Sequence, residues 1–297
     1  MEQQPYISIF ILFEPKAINM NIEIIKAILN AEMVDLFDIC HYGDVSGYLQ
    51  NNAASRRIPA GAATVLMAVF PYNTGVKPEN ISRYSAVPDY HDVCMRILKK
   101  CAAAINIERP DSNTACFIDN SPLPEVYTAA FCGLGVVGDN GLLITKKYGS
   151  YVFLGEIITD VVFEGIEYKH EKIRECLKCG ACASQCPGGA IGDSGFKRKM
   201  CLSDITQKKG ELEADEKALI ARYGTVWGCD ICQDVCPMNK EVQATRINEF
   251  INGFRKRYLP GEDITGRAYE WRGEKVIMRN AEIIAMSKIE EKSVSEK

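Results

Sequence analysis

The sequence predicts an α+β fold: an N-terminal domain with a mixed, largely antiparallel sheet flanked by helices, then a small cysteine-rich domain and a helical C-terminal segment. Three observations predict it. Short β-rich runs and amphipathic stretches mix through the first 165 residues without the strict strand-helix-strand repeat of a doubly wound sheet. Two apolar runs, 142–145 and 151–158, flank the turn Lys147-Tyr-Gly-Ser150, which would make them antiparallel neighbours. Eight of the 13 cysteines fall between 176 and 236, in two groups that each close on Cys-Pro. The expected boundaries are 1–165, 166–240 and 241–297.

Residues 6–13 are β-rich and bounded by Glu14-Pro15, so they read as the first strand. Helical spacing of Ile22, Ile24, Ile25 and Ile28 follows, then a strand over 33–39. The run 64–70, closed by Pro71, reads as a buried strand. Asp89 caps a predicted helix over 89–105 whose inner face carries Val93, Ile97, Leu98 and Cys101. A strand over 114–118 and a short helix over 125–131 come next. Beyond the cysteines, helices are expected at 241–254 and 275–289, separated by Pro260-Gly261, with a charged tail.

Hydrophobic residues at 47% and charged residues at 25% are ordinary for a folded chain of 297 residues. A formal net charge of -4 gives no global attraction to nucleic acid or anionic membrane. Locally, residues 168–209 hold nine Lys/Arg against four Asp/Glu, a positive region that suits either a solvated face or an anionic partner. No apolar run is long enough for a spanning helix and the N-terminus lacks a signal-peptide pattern, so a cytoplasmic location is expected.

Cys176-Leu-Lys-Cys179-Gly-Ala-Cys182-Ala-Ser-Gln-Cys186-Pro187 has the C-x2-C-x2-C-x3-C-P spacing that puts three thiolates on one cubane iron–sulfur cluster and sends the fourth to a second. Cys229-Asp-Ile-Cys232-Gln-Asp-Val-Cys236-Pro237 answers it, and Cys201 supplies the missing eighth thiolate. Two [4Fe–4S] clusters in a bacterial ferredoxin-like domain follow. By the crossing rule Cys176, Cys179, Cys182 and Cys236 hold one, and Cys186, Cys201, Cys229 and Cys232 the other. Zinc sites use separated C-x2-C pairs and have no need of the x2-x2-x3 run. Disulfides do not fit thiols kept reduced in a cytosol.

Gly133-Leu-Gly135-Val-Val-Gly138 matches a dinucleotide fingerprint, yet a helix precedes it and a strand follows, the reverse of what that site requires. A loop admitting some other large planar cofactor is the better reading, with Asn140 beside it. Asp119 before Asn-Ser-Pro reads first as a helix cap and second as a general acid at a strand end. His91 is at most a weak candidate axial ligand to cobalt, with Cys94 where that pattern needs glycine. Cys40, Cys94, Cys101, Cys116 and Cys132 lie in apolar surroundings and read as packed thiols.

Taken together, the chain resembles the cobalamin-dependent epoxyqueuosine reductases, which are related to the reductive dehalogenases. The likeness is carried by Arg83-Tyr-Ser-Ala-Val-Pro-Asp-Tyr-His91, by Phe117-Ile-Asp-Asn-Ser-Pro122 through Gly135, by Gly149-Ser-Tyr-Val-Phe-Leu-Gly-Glu156, by the cysteine domain and by Met278-Arg-Asn-Ala281. Val87-Pro88 and Val126 stand where the family usually has basic residues, and Val136-Val-Gly-Asp139-Asn140 replaces the usual Trp-x-Gly-Lys-Asn. The resemblance implies a base-off cobalamin in the first domain with no protein ligand to cobalt. Gly133, Gly135, Gly138 and Asn140 would lie on that cofactor, and Asp119 would occupy the proton-donor position. It also implies a low-potential electron donor of ferredoxin or flavodoxin type and, as substrate, an epoxide-bearing base in tRNA. The same chemistry on a small epoxide or organohalide, or an electron carrier without a corrinoid, are the rival readings.

Overall fold

The computed structural model describes residues 18–192 and 195–295, so the expected strand over 6–13 lies outside the described residues. In chain order the first part contains β1 (Ile18–Asn21), α1 (Glu23–Ala31), β2 (Phe37–His41), α2 (Tyr42–Val45), β3 (Thr64–Pro71), α3 (Arg83–Ala86), α4 (Tyr90–Glu108), β4 (Thr114–Ile118), α5 (Glu125–Phe131), β5 (Val136–Val137), β6 (Leu143–Ile144), β7 (Val152–Thr159) and β8 (Val161–Glu164). The cysteine-rich part adds α6 (Ala181–Ser184), β9 (Ile191–Gly192), β10 (Gly195–Phe196), α7 (Leu202–Gln207), α8 (Ala214–Tyr223) and α9 (Ile231–Asp234). Helices α10 (Asn248–Asn252) and α11 (Glu274–Ser295) follow.

The main sheet runs β2-β3-β7-β4 with every neighbouring pair antiparallel, and β1 and β8 form a small parallel pair. All eight residues of β3 are buried, as its unbroken apolar run requires for a strand covered on both faces. On one face lie α1 and α4 over Leu66, Ala68 and Phe70; on the other α5 covers Val65, Met67 and Ile158. In α1, Ile25 and Leu29 point inward at helical spacing, each contributing about 1.5–3 kcal/mol of burial. The Asp89 side chain caps α4 by accepting from the His91 N–H at 2.9 Å, and Val93, Ile97, Leu98 and Cys101 are buried. Cys40, Cys94, Cys101 and Cys132 are buried free thiols, and burial pushes Cys101 up to about 12.

Two expectations fail on pairing and length. Runs 142–145 and 151–158 are not sheet partners: β6 pairs with β5, while β7 lies between β3 and β4. The chain between them turns inward, with Tyr148 buried and its hydroxyl donating to Asp35 Oδ1 at 2.7 Å, and apolar β7 takes a central place. The helix expected at 241–254 shrinks to α10. Residues ahead of it run as a strap whose Gln243 and Thr245 N–H groups donate to Lys147 and Asn73 carbonyls.

The cysteine-rich part is welded to the sheet by buried polar contacts. Asn239 accepts from the Ser150 N–H at 2.8 Å and donates to Ser150 Oγ and the Gln233 carbonyl, both at 2.8 Å. The Tyr72 hydroxyl donates to Gln233 Oε1 at 3.1 Å. Arg83 spans Asp230 at 3.3 Å and Asp234 at 2.5 Å while lying 4.8 Å over the Tyr151 ring. Burial pushes the Asp230 carboxyl up to about 6 against the pull of the Arg83 N–H and guanidinium. Replacing Arg83 by Met leaves that carboxylate buried without its counter-charge, a change expected to cost about 3–5 kcal/mol. Anaerobic denaturation of R83M should show absorbance of the cysteine domain lost at lower denaturant than in the parent, and an unchanged midpoint would deny the contact its role.

Candidate functional site

Each expected set of four cysteines lines a cavity of its own. Cys186, Cys201, Cys229 and Cys232 border one of about 320 Å³, and Cys176, Cys179, Cys182 and Cys236 border another of about 20 Å³. The short helices α6 and α9 sit between cysteines of the two motifs, and left-handed Gly180 at φ 73° opens the turn into α6. Gly188 is obligatory, because a Cβ there would meet the Met200 carbonyl oxygen at 1.9 Å. Among the described residues no three His, Cys, Asp or Glu side chains converge to hold one bare ion. Four thiols standing around a void suit a polynuclear cluster. Burial pushes the Cys229 and Cys232 thiols up to about 12, so thiolates form there only opposite positive charge, which iron supplies.

Between the two quartets stands Asn140. Its buried side chain lines both cavities and accepts from the Leu142 N–H at 3.3 Å. The three glycines of the preceding loop are placed differently. The space a Cβ would need is taken by Ile144 O at 2.6 Å for Gly135, by Asn140 Oδ1 at 2.4 Å for Gly138, and by Glu171 Cγ at 3.2 Å for Gly133. Gly135 and Gly138 make room for the chain's own atoms, Gly133 takes a left-handed φ of 77°, and Asn140 and Leu142 are the loop residues that reach the larger cavity.

The larger cavity leaves the thiols along an aromatic wall of Tyr72, Tyr84 and Phe153, with exposed Phe196 at its rim. Phe153 stacks on Tyr90 with ring centroids 4.2 Å apart, and Tyr90 lies 4.1 Å from the His91 ring. His91 Nε2 is 3.6 Å from Asp119 Oδ2, and its Nδ1 is 2.8 Å from Asp89 Oδ1. An apolar wall with thiols at one end and an acid–base group beyond the other fits a flat, apolar-faced redox cofactor.

Asp119 does not cap a helix. The residue before α5 is Pro124, and Asp119 stands on an exposed turn with φ 61°, a left-handed conformation that Asp tolerates better than most residues. The His91 imidazole beside it holds the Asp119 carboxyl below its usual range. In turn Asp119, followed by Asp89, raises His91 to about 9. At neutral pH this is an imidazolium between two carboxylates, and the transferable proton sits on His91. The sequence alone showed His91 at a helix start and as a weak candidate ligand to cobalt, not as the partner of Asp119. The signal for more was Asp89 itself, whose one carboxylate both caps α4 and grips the ring.

Beneath the same turn, Glu156 on β7 is fully buried and accepts a hydrogen bond from Ser121 Oγ. Burial, opposed by that bond, raises it to about 8. Glu125, at the start of α5, is also raised to about 8, by burial first and then by Glu156 and Asp119. One oxygen of each, Glu125 Oε1 and Glu156 Oε2, is sealed from water without a hydrogen-bond partner.

Known proteins carry the same build. Residues 175–239 match the family model described as a 4Fe-4S double cluster binding domain, and residues 53–120 match the one described as Epoxyqueuosine reductase QueG, DUF1730. An epoxyqueuosine reductase of Lactococcus garvieae is 33% identical over 264 residues, covering 80% of this chain and 74% of that protein. The Listeria monocytogenes enzyme of that name is 35% identical over 209 residues, covering 66% of this chain but 54% of its own length. The solved epoxyqueuosine reductase of Streptococcus thermophilus superposes with a TM-score of 0.73 at 24% identity, covering 90% of this chain and 82% of that one. A structure of epoxyqueuosine reductase with a tRNA-Tyr epoxyqueuosine-modified stem loop gives 0.73 at 24% identity, covering 88% and 80%. At these identities the structures establish the shared fold.

A double-cluster domain fused to an α+β sheet domain, with one cavity running from four thiols along an aromatic wall, defines an iron–sulfur oxidoreductase. Within that class, the chain belongs to the epoxyqueuosine reductase family.

Proposed function

We propose that this chain is a cobalamin- and iron–sulfur-dependent reductase that removes the epoxide oxygen of epoxyqueuosine in tRNA. The observation that carries it is the cavity of about 320 Å³ lined by Cys186, Cys201, Cys229 and Cys232 and by Phe153, whose ring stacks on Tyr90 beside His91. When bound, the clusters supply single electrons and the corrinoid a strongly reducing metal centre. The chain supplies the rest. The two quartets would hold the clusters, Asn140 would stand between them, and Phe153 and Tyr72 would pack the corrinoid's apolar face and keep water from it. Loss of the epoxide oxygen as water consumes two electrons and two protons, so a single acid is not enough. Asp119 would stand at the reacting oxygen, and His91, holding a proton at neutral pH, would supply the first proton through the 3.6 Å contact and the second after taking up another from solvent.

A tRNA substrate accords with the stem-loop complex of the structural relative and with the basic run Lys197, Arg198 and Lys199. Arg198 in that run lies near enough to Asp119 to lower its pKa. A low-potential ferredoxin or flavodoxin would deliver the electrons, and a cytoplasmic location goes with that substrate. Among the described residues no helix is long and apolar enough to cross a membrane. The division into 1–165, 166–240 and 241–297 fits these roles, the last segment packing on both the sheet core and the α7–α8 core.

The test is to purify the chain anaerobically with cobalamin and look by EPR for bound base-off cobalamin, then to assay epoxyqueuosine-containing tRNA by nucleoside mass spectrometry. A base-off signal and conversion to queuosine are expected. Cobalamin that washes away while both clusters remain would overturn the reductase; cobalamin bound without turnover of the tRNA would overturn its substrate.

A further inference from the structure

The positive stretch that begins at 168 has cations that the chemistry above does not use. Lys172 and Arg174, both exposed, flank Ile173, and Ile173 lines a shallow apolar cleft with Tyr48, Pro124, Tyr127 and Phe131. Among the described residues, the salt bridges of this segment join Lys169 to Glu167, His170 to Asp44, and Lys178 to Glu175 and Asp139. Lys172 and Arg174 are left for an anion from outside. The tyrosines come from different elements, Tyr48 from the turn after α2 and Tyr127 from α5, yet line one cleft while staying 63% and 53% exposed. At about 30 Å³ the cleft has the volume of one water molecule, too little to enclose a ligand. Its rings form a ledge on which another flat ring can lie. Three hydrogen bonds fix the ledge to its surroundings: the Gln50 N–H donates to the Pro122 carbonyl at 2.8 Å, the Asn52 amide to the Ser121 carbonyl at 2.8 Å, and the Glu171 N–H to the Phe131 carbonyl at 3.0 Å. The first two tie it to the turn that carries Asp119, and the chain from Asp119 to Pro124 spans at most about 18 Å. Exposed aromatic rings with cations beside them suit single-stranded nucleic acid, whose bases stack on the rings while its phosphates meet Lys and Arg. No cysteine lines the cleft, so an electron carrier docked on it would meet no cluster ligand there.

We propose that Tyr48 and Tyr127 form a stacking platform for unpaired bases next to the reacting base of an RNA substrate, with Lys172 and Arg174 on the intervening phosphates. The platform rests on the reductase reading only for which RNA it holds. Its residues bind and orient, and no bond forms or breaks on them.

The experiment is fluorescence anisotropy of the cluster-loaded full chain with a labelled tRNA-Tyr stem loop, the kind of RNA found with the structural relative, at several salt concentrations. Tyr48→Ala and Tyr127→Ala should each weaken binding about tenfold, whereas Tyr127→Phe should bind as the parent does, because stacking uses the ring and not the hydroxyl. A stem loop made abasic beside the reacting position should bind the parent and Tyr127→Ala alike. Lys172→Gln and Arg174→Gln should each flatten the plot of log affinity against log salt by about 0.7, the share of one single-strand phosphate contact. Alanine variants that hold the intact stem loop as tightly as the parent would overturn the platform. If Lys172→Gln and Arg174→Gln instead raised the KM for a reduced flavodoxin, the face would belong to the electron donor, and the platform would fall with that result too. Turnover separates this proposal from the activity: Tyr127→Ala should raise KM for the epoxyqueuosine stem loop with little change in kcat. A chain that binds the stem loop through its tyrosines and converts none of it would lose the reductase reading and keep the platform. A chain that converts it with the parent's KM in both alanine variants would do the opposite.

Discussion

Cys229→Ser is expected to remove about half of the iron from the anaerobically prepared protein and all of its electron transfer to the larger cavity. Cys229 lines the cavity of about 320 Å³ with Cys186, Cys201 and Cys232, and serine offers a poorer match for iron than thiolate. Because burial raises the Cys201 and Cys232 thiols, those two lose their reason to ionise once the metal charge is gone. Cys179→Ser, at the exposed cysteine of the other quartet, should remove iron from that site instead. The assignment of Cys236 across the two motifs is tested by combination. If Cys236 belongs with Cys176, Cys179 and Cys182, then Cys179→Ser with Cys236→Ser loses no more iron than either alone, whereas Cys229→Ser with Cys236→Ser loses nearly all. The reverse pattern in iron analysis and EPR would show that each motif closes on its own cluster.

The reach of the sequence follows from what each signal encodes. Local geometry was legible: β4 at Thr114–Ile118 and α5 at Glu125–Phe131 fall where turn residues bracket short apolar runs, and β3 where eight apolar or small residues end on proline. Cysteine spacing carried still more, because the intervals between thiolates are set by the cluster itself. Partnership was less legible. The run at Leu143–Ile144 looks much like half of a hairpin, and only its neighbours in space give it β5 in place of β7. The site was hardest where it depends on groups brought together from different elements. His91 comes from α4, Asp119 from the end of β4, Glu125 from α5 and Glu156 from β7, and no spacing in the chain announces that they share one corner. The glycine loop shows the converse. Its pattern invited a ligand, and in the fold the space beside Gly135 and Gly138 is taken by Ile144 and Asn140.

Asp119→Asn is expected to lower kcat about 10²–10⁴-fold with little change in KM, the size of effect that follows loss of a positioned acid. Folding should be nearly untouched, since the side chain is 67% exposed and its ion pair with His91 is screened to about 1 kcal/mol or less. The pH dependence separates this role from a merely structural one. In the parent His91 is raised to about 9 by Asp119 and Asp89, so it keeps its proton at neutral pH. Its folded pKa lies above the ordinary value of about 6.5, so the pair's stabilisation is complete below that value and fades as pH rises through about 9. Proton supply to Asp119 fades over the same range. The neutral amide of the Asp119→Asn variant removes one of the two carboxylates facing the ring, and His91 should then titrate closer to its ordinary range, visible as a shift of its NMR titration midpoint toward lower pH. His91→Gln makes the complementary change. It leaves the carboxyl of Asp119 without its cation, lets its pKa rise toward the usual range, and should lower kcat while abolishing the limb near pH 9. If Asp119→Asn turned over as fast as the parent at neutral pH while His91→Gln did not, the proton would go from the imidazole to the substrate directly, with Asp119 serving to hold the ring.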